Sequence, residues 1–177
     1  MADLNSALAG VVDVNDVNRN NDRVESLSQV VRVMVKGIVD DLCKDLDEYM
    51  KQIDDILCDK DTPVSDSELE DFTLNLPCLL YRVSANREVL KVKEDVAKAV
   101  HKDVYNRVRE KSQGTVADKD TAADLAAQSE AITVIVLQRA GAAVKAREEA
   151  AWEMLNSVKK VLTRRVAELE LTRQTGG

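Results

Sequence analysis

Apolar residues recur every three or four positions along most of this 177-residue chain. This spacing places the apolar side chains of each segment on one side of an α-helix. Breaks in the pattern are few, because the chain has only six glycines and two prolines. Aromatic residues make up only 3% of the chain. A β-sandwich or β-barrel would need many Gly/Pro turns and strands rich in aromatic or β-branched residues. The sequence therefore predicts an all-α fold.

Local signals bound the first two predicted helices. The first apolar series covers about residues 24–58 and should end there, because polar residues and Pro63 follow. Ser65 stands three residues before Glu68, which is the capping-box spacing that opens a helix. The second apolar series then runs over about 66–111.

A proline and a glycine shape the rest of the pattern. Pro77 lies inside the second series and has no backbone N–H to donate, so we expect a break or kink near it. Gly114 suits the turn that follows. The third series covers about 116–171 without a proline and predicts one helix of about 50 residues, ~75 Å long. Its β-branched run at 132–137 could form a strand, but helix-forming flanks and the lack of a partner strand favour the helix.

These segments predict one domain with a defined architecture. We expect a single all-α domain over 24–172, with a flexible arm at 1–23 before it and a frayed tail at 173–177 after it. The short turn between the second and third helices predicts a long antiparallel helical hairpin, packed with the additional N-terminal amphipathic helix. Because such a hairpin has too little volume to cover its own apolar faces, we expect a homo-oligomer. A self-contained three-helix bundle is the alternative.

Charge is distributed unevenly along the chain. The formal net charge is −7. Residues 1–80 carry 7 basic and 18 acidic side chains, whereas residues 81–177 carry 18 basic and 14 acidic ones. Opposite signs in the two parts indicate either pairing between subunits or an anionic partner for the second part.

The second predicted helix places several cations on one side. At ~100° per residue, five basic residues and a tyrosine fall within a narrow stripe, away from the predicted apolar face. A row of cations that includes an aromatic ring is typical of binding to single-stranded nucleic acid. A plain solvated face is the alternative, since Glu94 lies on the same stripe four residues before a lysine. The stripe consists of Arg87, Lys91, Lys98, Lys102, Tyr105 and Arg109.

The sequence contains no recognisable catalytic or metal-binding motif. It lacks the phosphate-binding and nucleophile-elbow motifs, and the paired carboxylates are sequence neighbours, which point about 100° apart on a helix. His101 is the single histidine, and Cys43, Cys58 and Cys78 form no CxxC pair, so we expect reduced, buried or half-buried thiols, no metal and no cofactor. We therefore predict a protein that is not an enzyme.

Two further absences bear on location. No stretch approaches ~18 consecutive apolar residues, as a membrane-spanning helix would require. The first ten residues lack the basic start and apolar core of a signal peptide. We therefore expect no membrane association and a cytoplasmic location.

Three segments within roughly residues 68–168 resemble the bacteriophage UvsY-like recombination mediators. They are ELEDFTLNLPCLLYRVSANREVL, HKDVYNRVREKSQGTVADKD and SVKKVLTRRVAEL. The pattern is a helix, a basic segment before a glycine-containing turn, and a long helix used in oligomer assembly. Lys102, Arg107 and Arg109 match the basic segment and Gly114 matches the turn, which adds Arg107 to the candidate DNA-binding residues. Residues 1–60 have no counterpart in the family.

The resemblance implies a function and a set of partners. It implies a homo-oligomer that binds single-stranded DNA and helps to load a RecA-like recombinase onto strands coated by a single-strand-binding protein. Two other hypotheses remain open. One is a helical structural or assembly protein of a phage that contacts proteins only. The other is a DNA mimic that uses carboxylate rows such as Asp40, Asp41, Asp45, Asp47 and Glu48.

Overall fold

A computed structural model describes residues 14–59 and 63–175 of the chain. All regular secondary structure in these two ranges is helical, which confirms the predicted all-α class. In this described part, no helix is both long enough and apolar enough to cross a bilayer. The helices are α1 (Val14–Cys58), α2 (Asp66–Lys111), α3 (Val116–Ala126) and α4 (Gln128–Thr175).

The outer helices extend past their predicted ends. α1 begins at Val14, so the stretch 14–23 of the predicted flexible arm is helical, and 1–13 lies outside the described residues. α4 continues to Thr175, so the predicted frayed tail is helical over 173–175, and its last two residues lie outside the description. Adding a turn to an existing helix requires no new nucleus, so polar residues without an apolar period can still extend it.

α2 begins where the capping signal predicts. The side chain of Ser65 accepts a hydrogen bond from the Glu68 backbone N–H, and the Glu68 carboxylate accepts one from the Ser65 backbone N–H at 2.7 Å. These bonds satisfy two donors that a helix start leaves free.

The predicted break near Pro77 is wrong, because α2 is continuous through it. A proline inside a helix costs about 3 kcal/mol, since it removes one backbone hydrogen bond and crowds the preceding turn. Leu76 and Leu80 are buried beside it. Each contributes about 1.5–3 kcal/mol on burial, which offsets that cost.

The predicted single helix over 116–171 is also wrong, since Ala127 divides it into α3 and α4. Ala127 has φ −92° and ψ 8°, whereas ψ in an α-helix is about −42°. Hydrogen bonding continues across it, because its N–H donates to Ala123 and its carbonyl accepts from Ala131, both at 3.0 Å. The helix is therefore interrupted at Ala127 while these two hydrogen bonds are kept, and α3 packs mainly against α2. The β-branched run at 132–137 is helical, as predicted.

The turn between α2 and α3 requires a glycine. Gly114 has φ 113°, a left-handed conformation that side chains disfavour. A Cβ at this position would also lie 2.9 Å from the Asp118 carboxylate. That carboxylate accepts a hydrogen bond from the Thr115 backbone N–H at 3.0 Å and caps α3.

One apolar core joins the three long helices. α4 makes the most extensive contacts, first with α2 and then with α1. Contacts between α2 and α4 join residues in opposite chain order, with Asp66 bonded to Arg165 and Arg87 bonded to Glu148. The largest fully buried side chains are those of Leu46, Ile53, Leu69, Leu76, Leu155, Val144 and Val158.

Candidate nucleic-acid interface and apolar groove

The buried face of α2 lies closer to the predicted basic stripe than the helical wheel suggests. Leu76, Leu80 and Val83 are buried against the other helices. Arg87 follows Leu80 by seven residues, about two helical turns, so the two side chains point to nearly the same side. The expectation that the whole stripe lies away from the core is therefore wrong. Arg87 and Tyr105 are both half-buried.

Arg87 forms an ion pair with a buried carboxylate of α4. Its Nη1 lies 3.2 Å from Oε2 of Glu148, a residue that is only 7% exposed. Burial raises the pKa of the Glu148 carboxyl group, and the Arg87 charge opposes that rise. Glu148 Oε1 and Arg87 Nε are buried and have no hydrogen-bond partner among the described residues. The geometry therefore gives Arg87 a structural role.

Lys98 pairs with carboxylates of its own helix. Its Nζ lies 2.5 Å from Glu94 and 3.8 Å from Asp95. The hydrogen bond with Glu94 raises the pKa of Lys98 and lowers that of Glu94. These two carboxylates offset the positive charge that Lys98 could offer to a phosphate.

The tyrosine and the last two arginines of the candidate set also contact carboxylates. The Tyr105 hydroxyl donates to Asp120 at 3.2 Å, and Arg109 Nε donates to the same oxygen at 2.5 Å. Arg107 pairs with Asp103 one turn earlier. Burial and the Asp120 bond raise the pKa of Tyr105. The hydroxyl of this half-buried tyrosine therefore joins α2 to α3 through Asp120.

Lys91 and Lys102 differ from the other five candidates. Both are exposed, and neither has a carboxylate within 4.0 Å among the described residues. They lie eleven positions apart on the helix, on the same side and about 16 Å apart. Among the seven candidates, Lys91 and Lys102 are thus the two whose charge no nearby carboxylate offsets.

In the ranges that the structure describes, no three His, Cys, Asp or Glu side chains lie close enough together to hold a metal ion. All three cysteines are free. Cys43 is buried, whereas Cys58 and Cys78 are exposed, so the expectation of buried or half-buried thiols is wrong for those two. Burial raises the pKa of Cys43 to about 11, with the Asp47 charge contributing.

An open groove between α1 and α4 was not predicted from the sequence. It has a volume of about 1010 Å³ and extends over residues 24–40 of α1. The sequence did contain a signal for it, since apolar residues in 24–39 spread over about two thirds of the helix circumference rather than one narrow stripe. Its apolar lining consists of Val24, Leu27, Val31, Val35, Val39, Ile132, Ile135 and Ala143.

Cations surround this groove, and only some of them are paired. Lys36 pairs with Asp40, and Arg147 pairs with Asp47. Arg32 and Arg139 also line the groove, and neither forms an ion pair among the described residues. The groove therefore combines an apolar floor with unbalanced positive charge.

No family model matches this chain, and no match was found among curated proteins or solved structures.

Proposed function

We propose that this chain is a non-enzymatic helical assembly protein that acts through protein–protein contacts. Its unit is the long antiparallel hairpin of α2 and α4 with α1 packed alongside, and that unit forms homo-oligomers. The groove between α1 and α4 is the observation that carries the proposal. Exposed apolar faces of this extent are typical of interaction sites.

The shape of the groove favours a helix as its occupant. The stretch 24–40 of α1 is about 24 Å long, which is more than four helical turns. Small-molecule pockets are usually enclosed clefts of about 300–1,000 Å³ that bury most of the ligand. A long, open apolar channel between two helices instead matches the recognition of an amphipathic helix.

The charge of the groove specifies that helix further. Arg32 and Arg139 favour a helix with acidic residues beside its apolar face. Complementary charge mainly sets the orientation and rate of association, whereas burial of side chains such as Val31 and Ile135 supplies most of the free energy.

Sedimentation equilibrium over about 1–100 μM tests the proposal. We expect the wild-type chain to associate in a concentration-dependent manner, and Ile135→Asp to weaken association because it replaces an apolar side chain of the groove by a charged group that must lose its hydration on contact. Val116→Asp is the matched control, since Val116 is exposed on α3 and lies outside the groove. A wild-type chain that stays monomeric throughout this range contradicts the proposal.

We propose single-stranded DNA binding as a second function, favoured by the two available cations Lys91 and Lys102. In this proposal the oligomer is a recombination mediator that helps to load a RecA-like recombinase onto strands coated by a single-strand-binding protein. Two cations per subunit give weak binding, and an oligomer that aligns several subunits on one strand strengthens it through multivalency.

Fluorescence anisotropy with a labelled single-stranded oligonucleotide tests this second proposal. Each phosphate contact on a single strand contributes about −0.7 to the log–log salt slope. We expect Lys91→Ala/Lys102→Ala to weaken binding and to flatten the slope by about 1.4 per subunit. Lys44→Ala/Lys51→Ala is the matched control, because it removes two exposed lysines of α1. Equal effects of the two double variants, or no binding at low salt, contradict it.

A further inference from the structure

α2 has a second apolar face, which lies opposite the buried side of the helix and, at Val89, Val92 and Val96, borders clefts shared with α1 and α4. Its members are all exposed, with Leu74 at 67%, Tyr81 at 78% and Val92 at 62%. We call this face the outer stripe, and it consists of Leu74, Cys78, Tyr81, Ala85, Val89, Val92, Val96 and Ala99.

The outer stripe lies opposite the core. Val89 follows the buried Leu80 by nine residues, which is two and a half helical turns, so the two side chains point in opposite directions. A helix that packs against its own chain on one side normally presents polar residues on the other. α2 instead presents an apolar side chain at almost every turn of both faces.

The spacing of the outer stripe is that of a helix–helix contact. Successive members are separated by three or four residues, with an average step of about 3.6. This average equals the period of a straight α-helix, so the stripe stays on one side of α2 and requires no supercoil. A second straight helix can therefore lie along its whole length.

Charged residues flank the stripe in an ordered way. On the helical wheel, Arg82 and Lys93 lie on one flank, whereas Glu88 and Asp95 lie on the other. Neither Arg82 nor Lys93 forms an ion pair among the described residues. The acidic residues form only long contacts, 4.0 Å from Glu88 to an arginine and 3.8 Å from Asp95 to a lysine. Arg82, Lys93 and Glu88 are therefore available to a partner, whereas Asp95 also faces Lys98 of its own helix.

We propose that the outer stripe binds the outer stripe of a second copy of this chain, with the two α2 helices parallel and in register. This inference rests on the proposed function, and it specifies the face and orientation of one contact in the assembly. A two-fold axis parallel to the helices brings the acidic flank of one copy against the basic flank of the other. Glu88 then lies near Lys93 of the second copy, which is five positions further along the sequence. Flanking charges pair at this spacing in parallel coiled coils.

The antiparallel arrangement is disfavoured by the same charges. A two-fold axis perpendicular to the helices and centred on the stripe brings like flanks together, so that Arg82 lies near Lys93 of the second copy. On the other side, Glu88 lies near Glu88 of the second copy. Like charges opposed in a contact reduce affinity and select against that orientation.

The dimensions of the stripe set the strength of the contact. From Leu74 to Ala99 it is about 38 Å long, and a helix is about 10 Å wide. Its footprint is therefore on the order of 400 Å² per copy, below the ~800 Å² per partner of a standard interface. We expect a reversible contact that depends on protein concentration.

Cys78 provides a direct test of orientation. In the parallel, in-register pair it faces Cys78 of the second copy, and a disulfide requires Cα atoms about 4.4–6.8 Å apart. In an antiparallel pair centred on the stripe, the two Cys78 residues are about 25 Å apart. The experiment uses Cys58→Ser, which removes the other exposed thiol, and Cys43 is buried.

Diamide is the oxidant, and it takes two electrons and two protons from the two thiols as the disulfide forms. Non-reducing gel electrophoresis should show a covalent dimer in Cys58→Ser and none in Cys58→Ser/Cys78→Ser. A dimer yield that is equal in the two proteins overturns the proposal.

Two sets of variants test the contact without the cysteine. Val92→Glu should raise the dimer dissociation constant at least about tenfold, because both copies then bury an unpaired charge. Val116→Glu on α3 is the matched control, and circular dichroism at 222 nm checks that both variants stay helical. Glu88→Lys should weaken association, and Glu88→Lys/Lys93→Glu should restore it, since the exchange preserves opposite charges across the parallel contact.

The outcomes separate this inference from the proposed function. If the wild-type chain associates but shows neither the Cys78 disulfide nor an effect of Val92→Glu, the proposed contact through the outer stripe is overturned. The proposed assembly function is then not contradicted. A wild-type chain that is monomeric at all concentrations contradicts both. Failure of the charge exchange to restore association overturns the parallel orientation.

Discussion

Replacing Arg87 by methionine tests whether this arginine serves the fold rather than DNA binding. The Arg87–Glu148 ion pair has a separation of 3.2 Å. At an effective dielectric constant of about 20, the Coulomb attraction at that distance is about 5 kcal/mol before desolvation is considered. Glu148 is only 7% exposed, so Arg87→Met leaves a buried carboxylate with no counter-charge. We expect a loss of about 3 kcal/mol in the free energy of unfolding at pH 7.

The loss should depend on pH in a defined direction. Burial raises the pKa of Glu148 above its ordinary value. At pH values between the unfolded-state and the folded-state pKa of this group, the folded state therefore binds more protons than the unfolded state. Stability from this group therefore falls as the pH rises through that interval. Removing Arg87 raises the folded pKa further, because the arginine charge lowers it in the wild type. The difference between wild type and Arg87→Met should be smaller at pH 5 than at pH 7.

Urea unfolding followed at 222 nm, at one fixed protein concentration, measures both effects. The control is Arg87→Met/Glu148→Met, which replaces the pair by apolar side chains of similar length and should lie within about 1 kcal/mol of the wild type. The reasoning is refuted if the double variant is as unstable as Arg87→Met, or if the loss is the same at both pH values. A loss of DNA affinity in Arg87→Met with unchanged stability would return Arg87 to the candidate interface.

Three further results are expected. Leu155→Ala should cost about 2–5 kcal/mol in thermal or urea unfolding, because Leu155 is fully buried and a cavity replaces it; a loss below 1 kcal/mol would place it outside the core. Ser65→Ala should cost about 1 kcal/mol, since it removes the side-chain acceptor at the start of α2, and Ser65→Gly should cost less. At concentrations that keep the chain monomeric, a thiol reagent should modify Cys78 first and Cys58 more slowly, because the bond to Asp54 raises the Cys58 pKa. Cys43 should react only on unfolding, and a different order would contradict this assignment.

Features that depend on short stretches of chain could be predicted from the sequence. The capping box at Ser65, the turn at Gly114 and the helical state of 132–137 all agree with the structure. Each depends on hydrogen bonds or backbone conformations within a few residues, so the residue types at those positions are enough to predict it. α2 does not break at Pro77 because burial of its neighbours, a tertiary effect, outweighs the local cost of the proline, whereas the alternative of a kink there stays a prediction.

The candidate interface shows what the helical period of a sequence cannot predict. A helical wheel gives the angle between two side chains of α2, but it does not say which side of the helix the rest of the chain covers. α2 is apolar on two opposite faces, so its sequence is compatible with either face being buried. The tertiary structure places α4 against the face that includes Leu80, and Arg87 then meets Glu148 from a distant part of the chain.

The sequence by itself determined the helical class, the starts of α2 and α3 and the amphipathic character of the segments, because these depend on propensity, capping and period. Only the tertiary structure decided that Arg87 meets Glu148, that Tyr105 and Arg109 meet Asp120, that α3 packs mainly against α2, and that an apolar groove stays open beside α1. The physical reason is that pairing and burial join residues far apart in the chain, and their positions depend on how whole helices pack.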